Sequence, residues 1–261
     1  MMNYNVEYAA LCHIGKVRAR NQDNFWCMGA FMKSENNGLA EPISNIAETR
    51  HSPVFAVFDG MGGEQQGEVA AYIAAYNFND AYNGSTKADP RQFLLASCIK
   101  MNKAICEYAA GNHIRSTGTT AAILMFGAKK IYVCNIGDSR IYQYNGKRLV
   151  QISHDHSIIG VTDRKPPLSQ NLGIPETEFL IEPYVDTCDY RDGDKYLICS
   201  DGLTDMASDR EIEAIIRLHS GTTDGAKALV QKALDSGGGD NITVILCEVN
   251  KRKRVFGKTI T

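Results

Sequence analysis

The chain is expected to fold as an α+β protein in which two mainly antiparallel β-sheets pack together with helix pairs outside, a four-layer α-β-β-α sandwich. Three observations predict this. Residues 119–152 carry four short strand-like runs separated by turn signals, among them Asn145-Gly146, a two-residue hairpin signal, so they read as an antiparallel meander. Several runs, such as Val54-Phe55-Ala56-Val57-Phe58, are apolar at nearly every position, so both of their faces must be covered. Four segments of helical periodicity, arranged as two consecutive pairs, can supply that cover.

In chain order, short apolar runs at 5–13 and 24–28 precede a polar, Asn-rich stretch at 34–52 that reads as a surface loop. The strand at 54–58 follows, then a helix over 64–82 with Val69, Ile73 and Tyr76 on one face. A second helix after Pro90 places Leu94, Cys98, Met101, Ile105 and Tyr108 at helical spacing. Strands are expected at 119–126, 131–136, 140–144 and 148–152. Residues 153–175 lack periodicity, contain Lys165-Pro166-Pro167 and read as an irregular surface segment. Strands at 178–181 and 196–200 come next. Ser208-Asp209-Arg210-Glu211 is a capping-box match opening a helix with Ile212, Ile215, Ile216 and His219 on one face. A helix over 223–234 and a central strand over 242–249 complete the pattern. No repeat period occurs.

No linker divides the 261 residues, so residues 1–250 read as one domain and 251–261, opening with Lys251-Arg252-Lys253-Arg254, as a short basic tail. A net charge of −2 offers no broad basic field for nucleic acid or a membrane surface. No run approaches the roughly 18 to 20 apolar residues of a membrane span, and the N-terminus lacks signal-peptide layout, which predicts a cytoplasmic protein. The eight cysteines form no Cys-x-x-Cys pair and lie mostly in apolar runs, so they read as buried, reduced thiols.

Three apolar runs stop on an aspartate: residues 54–58 on Asp59-Gly60-Met61-Gly62-Gly63, 196–200 on Asp201-Gly202, and 131–137 on Asp138. A fourth acid, Asp240, follows Gly237-Gly238-Gly239 and precedes the last apolar run. Ionised carboxylates at the mouths of buried strands are costly unless a cation or donors compensate them. Mg²⁺ and Mn²⁺ take such oxygens while keeping several waters, and Asp59, Asp201 and Asp240 fit that chemistry. The glycines after Asp59 let the backbone turn sharply and the Gly60 carbonyl join the shell. One Asp-Gly pair is more often a plain turn, but recurrence at several strand ends argues against that here. Upstream, Gly15-Lys16-Val17-Arg18-Ala19-Arg20-Asn21-Gln22-Asp23 offers Arg18 or Arg20 as a guanidinium fork for a phosphoryl group.

These motifs, with Gly118-Thr119-Thr120, Gly137-Asp138-Ser139-Arg140, Ser200-Asp201-Gly202-Leu203 and Asp240-Asn241-Ile242-Thr243, occur in the order found in metal-dependent protein phosphatases of the 2C type. The chain resembles the compact bacterial form of that family over residues 15–243. The resemblance implies a hydrolase acting on phosphoserine and phosphothreonine with a water or hydroxide bridging two Mn²⁺ or Mg²⁺ ions. Asp59 would bridge the ions, Gly60 would give its carbonyl, and Asp201 and Asp240 would hold the other metal. Asp138 with Asp201 matches a third, conditional metal site. Arg18 matches the phosphate-binding arginine, Gln22 stands where many relatives carry a glutamate that holds a metal water, and Asp23 matches an outer acid. Implied partners are phosphorylated proteins and an opposing Ser/Thr kinase in signalling, with the protein acting as a monomer. His154 and His156 read as ordinary loop histidines and are assigned no role.

Two other readings compete. Cys12 and Arg18 fit the Cys-x₅-Arg spacing of cysteine-dependent phosphatases, although this leaves the strand-end aspartates unexplained. A pseudophosphatase or phosphoprotein-binding scaffold would be expected to have lost metal ligands, yet Asp59, Asp201 and Asp240 are all present. Relative to the bacterial form, residues 153–175 make a short flap, which is expected to leave the site more open.

Overall fold

Alternation along the strands sends apolar side chains into three separate layers, and this organises the chain. The computed structural model describes residues 4–61, 66–85, 89–158 and 166–252. Its elements are β1 (Tyr4–His13), β2 (Asp23–Cys27), β3 (Ile43–Glu48), β4 (Val54–Met61), α1 (Gly67–Gly84), α2 (Pro90–Gly111), β5 (Gly118–Thr119), β6 (Ala121–Phe126), β7 (Lys130–Ile136), β8 (Arg140–Tyr144), β9 (Leu149–Gln151), β10 (Tyr184–Asp189), β11 (Lys195–Cys199), α3 (Asp201–Thr204), α4 (Asp209–Leu218), α5 (Thr222–Asp235) and β12 (Ile242–Lys251). One sheet has the order β3-β1-β12-β11-β8-β9, the other β10-β7-β6-β4-β2 with β5 paired to the end of β4; all pairings are antiparallel.

On β4, Phe55 and Val57 enter the layer between the sheets, whereas Val54, Ala56 and Phe58 face α1 and α2. On β12, Ile245, Cys247 and Val249 point between the sheets and Ile242, Val244 and Leu246 face the helices of the other side. Both-faced apolar runs are therefore strands sandwiched between two apolar layers, as expected. Each fully buried Phe here contributes roughly 1.5–3 kcal/mol of transfer free energy.

Several expectations change. The buried face of α1 is Ala70, Ala71, Ala74, Ala75 and Phe78; of the expected residues Ile73 packs partly buried against this layer, whereas Val69 and Tyr76 do not belong to it. Small residues let the helix lie close to the sheet, while Tyr76, 54% exposed, stacks with Phe31 and Tyr72 on the outside. The stretch at 34–52 contains the edge strand β3, hidden because its outward residues are polar and Ile46 is exposed. The strand expected at 178–181 is absent, and the acidic, half-exposed β10 takes its place in the sheet. The run at 119–126 breaks at Thr120, whose N–H turns to the Asp59 carbonyl. Asp201 opens a short helix that periodicity could not show. β12 runs past residue 250 to Lys251, paired with Tyr4, and Arg252 makes an ion pair with Glu48; the rest of the basic tail lies outside the described residues.

Candidate active site

The C-terminal ends of β4, β7 and β11 and the starts of β2 and β12 meet at one end of the sandwich. Antiparallel register sets Asp23, the first residue of β2, opposite Asp59 near the end of β4. Asp23 is buried, and its Oδ2 accepts hydrogen bonds of 2.7 Å from Ser200 Oγ and of 2.7 Å from Thr243 Oγ1, both on the facing sheet. Burial pushes its carboxyl up from the usual range; the Thr243 and Ser200 hydroxyls oppose this, and the Asp240 charge adds to it. The Asp59 side chain, opposite Asp23 in the ladder, also opposes the rise.

Asp59 is held by its backbone. Its N–H donates to Thr120 Oγ1 (3.0 Å), and its carbonyl accepts from Thr120 N and Thr119 Oγ1 (both 2.9 Å). Thr120 Oγ1 lies 2.7 Å from Ser139 Oγ, next to Asp138. The Gly-Thr-Thr and Gly-Asp-Ser motifs thus join in one clasp beneath Asp59. Gly60 is hemmed in: a Cβ there would sit 2.2 Å from the Gly67 carbonyl and 2.5 Å from that of Gln22, to which the Gly60 N–H donates. The Gly62 and Gly63 part of that motif lies outside the described residues.

Asp201 follows Ser200, whose N–H donates to the Thr243 carbonyl, and a Cβ on Gly202 would meet the Asn241 carbonyl at 1.9 Å. This contact brings the start of α3 onto the turn that carries Asp240. Asn241 ties down the upstream loop, donating from Nδ2 to the Ile14 and Arg20 carbonyls and accepting the Gln22 N–H at Oδ1 (2.8 Å). Arg18 donates from Nη2 to Asp240 Oδ2 at 2.6 Å; Asp240 holds the guanidinium above its usual range, and the charges of Asp59 and Asp23 act in the same direction. Arg20, the other candidate anchor, bonds Glu68 Oε1 at 3.1 Å.

Asp23, Asp59, Asp240 and Arg18 are therefore electrostatic neighbours, with Asp201 beside them in the fold and Asp138 one strand along. Among the described residues no three His, Cys, Asp or Glu side chains stand close enough to hold an ion by themselves. The donors still suit a hard divalent cation, which takes carboxylate and carbonyl oxygens and fills the rest of its shell with water. The buried Asp23, raised by burial and by the Asp240 charge, would gain from a cation at this end of the sheets.

Cys12 is fully buried, and its Sγ accepts from Asn21 Nδ2 and lies beside Thr243 Oγ1, both at 3.1 Å. Burial, with the Asp23 charge adding, pushes the thiol up to about 12, so it stays protonated and is no nucleophile. His154 and His156 form a ring pair held to Asn135 and Gly137 by backbone bonds. Between them Asp155 receives both Nε and Nη2 of Arg140 (2.9 and 2.7 Å), which fastens this segment to the Gly137-Asp138-Ser139-Arg140 motif. Ser200, Thr243, Asn241, Glu68 and Asp155 were not singled out from sequence. Ser200, Asn241 and Thr243 carried only the signal of position, inside a motif one or three residues from a candidate ligand, and Glu68 and Asp155 carried none.

The family model for protein phosphatase 2C matches residues 43–235. The chain belongs to the protein phosphatase 2C family. That match stops short of Arg18, Gln22, Asp23 and Asp240, which the fold brings to the same end as Asp59. This phosphatase 2C chain is 29% identical over 252 residues to the serine/threonine phosphatase stp of Listeria welshimeri, covering 90% of the chain and 93% of the relative. It is 26% identical to the protein phosphatase PhpP of Streptococcus pneumoniae, covering 94% and 98%. The catalytic domain of the serine/threonine protein phosphatase PstP, solved in complex with two manganese ions, superposes with a TM-score of 0.77 at 26% identity, covering 95% of this chain and all of that one.

Proposed function

We infer that this chain is a metal-dependent protein serine/threonine phosphatase that uses two Mn²⁺ or Mg²⁺ ions. The observation that carries the site assignment is the Asp23–Asp59–Asp240 cluster, acids drawn from both sheets to one end with Arg18 against them. Asp59, the Gly60 carbonyl, Asp201 and Asp240 would hold the two ions, with Asp59 shared between them, and Asp138 with Asp201 would provide a third, weaker position. When bound, the ions acidify the attacking water and neutralise the phosphoryl oxygens.

The residues of the chain do the rest. Arg18 keeps Nη2 on Asp240, and its other guanidinium N–H groups, which have no partner among the described residues, are available to phosphoryl oxygens. Asp23, locked by Ser200 and Thr243, stands behind Asp59 and fixes its carboxylate. Gln22 offers an amide oxygen to a water of the site. The presence of every candidate ligand disfavours the scaffold reading, and the buried, protonated Cys12 disfavours the thiol reading.

The substrates are phosphoproteins, and we extend the reading to a monomer opposing a Ser/Thr kinase in the cytoplasm; the eight free, mostly buried cysteines suit a reducing compartment. Residues 166–175 are tied back to β5 by the Leu172–Thr119 pair, while 159–165 lie outside the described residues, and the shortness of the segment 153–175 supports a more open site. A longer flap grafted there should change peptide selectivity and metal response; unchanged selectivity would refute that part. The experiment for the whole reading is hydrolysis of phosphoserine, phosphothreonine and phosphotyrosine peptides side by side with added Mn²⁺, before and after thiol alkylation. Metal-dependent turnover of the first two, untouched by alkylation, is expected. Metal-free or alkylation-sensitive turnover would overturn it.

A further inference from the structure

Glu68, on the first turn of α1, is a carboxylate the mechanism above does not use, and its side chain is only 9% exposed. Its Oε1 accepts from Arg20 Nη1 at 3.1 Å and its Oε2 from Gln22 Nε2 at 3.3 Å. An ionised carboxylate can only accept, so it must face the amide NH₂ of Gln22 and not the amide oxygen. Without such a partner the Gln22 amide could turn over about its terminal torsion at little cost.

The Gln22 backbone is fixed on both sides, its N–H on Asn241 Oδ1 and its carbonyl receiving the Gly60 N–H. The side chain lies against the catalytic turn: a Cβ on Gly67 would be 2.8 Å from Gln22 Nε2 and 3.0 Å from the Gly60 carbonyl oxygen. The amide therefore sits beside the carbonyl assigned to the metal. Among the described residues none donates to Gln22 Oε1, which leaves that lone acceptor for solvent in the site.

We propose that Glu68 is a positioning residue for the phosphatase reaction: it clasps the Gln22 NH₂ so that Oε1 is presented to a water of the site beside Gly60. The proposal rests on the metal assignment of Asp59, Gly60, Asp201 and Asp240. Arg20 completes the clasp by holding the second carboxylate oxygen. Because an amide is neutral, the negative field at this point comes from Glu68 and reaches the water through the polarised amide.

The test uses the full chain with Glu68→Gln, which keeps the shape but lets residue 68 donate to either end of the Gln22 amide, with Gln22→Ala, and with both. With saturating Mn²⁺ on a phosphothreonine peptide, Glu68→Gln should lower kcat about 10- to 100-fold, the usual effect of losing a ligand-orienting partner, with KM unchanged. In the Gln22→Ala background the same change should have no further effect. In metal-free protein, the Gln22 side-chain NH₂ resonance, assigned by its loss in Gln22→Ala, should move when Glu68 is changed. Independent, multiplying effects of the two substitutions, or an unmoved resonance, would overturn the proposal. A wild-type chain without Mn²⁺-dependent turnover would instead sink the metal assignment, and the metal-free resonance would still report whether the clasp exists.

Discussion

Helices α1 and α4 begin by different means. At α4, Ser208 Oγ accepts the Glu211 N–H while Glu211 Oε2 takes the Ser208 N–H at 2.9 Å, a box built from residues 208–211 alone. At α1, beside the acid cluster, no side chain caps the helix, and Gln66 sits in the left-handed region with φ of 63°. Distant residues hold that entry: Tyr108 donates to Gln66 Oε1, Thr117 to its carbonyl, and Gly67 packs on Gly60 and Gln22. A start that serves only the fold follows local rules, whereas one that serves the site breaks them and relies on tertiary support.

The largest effect expected from this contrast is at Asp59. Asp59→Asn should lower kcat on the order of 10³-fold or more, since several kcal/mol of charge stabilisation depend on it, with little loss of thermal stability. A variant that unfolds would mean Asp59 serves the fold. Next is Gly67→Ala, where the new Cβ would come within 3.0 Å of Gly60; about 1–3 kcal/mol of destabilisation and a clear loss of kcat are expected. Gly84→Ala, at the open far end of the same helix, should be neutral or stabilising by about 0.5–1 kcal/mol with full activity. Equal effects of the two would erase the distinction between the ends of α1.

Smaller effects belong to α4. Ser208→Ala should cost about 1 kcal/mol, about 2–4 °C in Tm, and leave kcat alone. The Glu211 carboxyl is held at about 2, below its ordinary 4.5, by Lys232 first and then by the Ser208 N–H and hydroxyl. A depressed carboxyl stabilises the fold above its unfolded value and loses that contribution as pH falls through the folded one. The stability gap between wild type and Glu211→Gln should therefore be full at pH 7 and close between pH 4.5 and 2 in denaturant melts. A gap that persisted at pH 2 would show that Glu211 acts by packing.

The same contrast marks what the sequence could disclose. The box at Ser208, the helix after Pro90, the apolar strands and the aspartates at their ends are local patterns and were legible. The edge strands β3 and β10 were not, because half-exposed polar strands have no apolar run. The buried face of α1 was misread because alanines, not large residues, face the sheet. Within the site, Asp59 and Asp201 were legible as acids that end apolar runs, and Asp240 as one that precedes a run. Ser200, Thr243, Asn241 and Glu68 were not, since each acts through a hydrogen bond to a residue 43 or more positions away or across the sheets.

The central claim, that the acids at this end of the sandwich hold two ions through Asp59, is tested most directly by calorimetric titration of Mn²⁺ into wild type and Asp59→Asn. Wild type should bind two ions, and the variant should lose tight binding of both if Asp59 is the shared ligand. Two ions bound with unchanged affinity by Asp59→Asn would contradict the account.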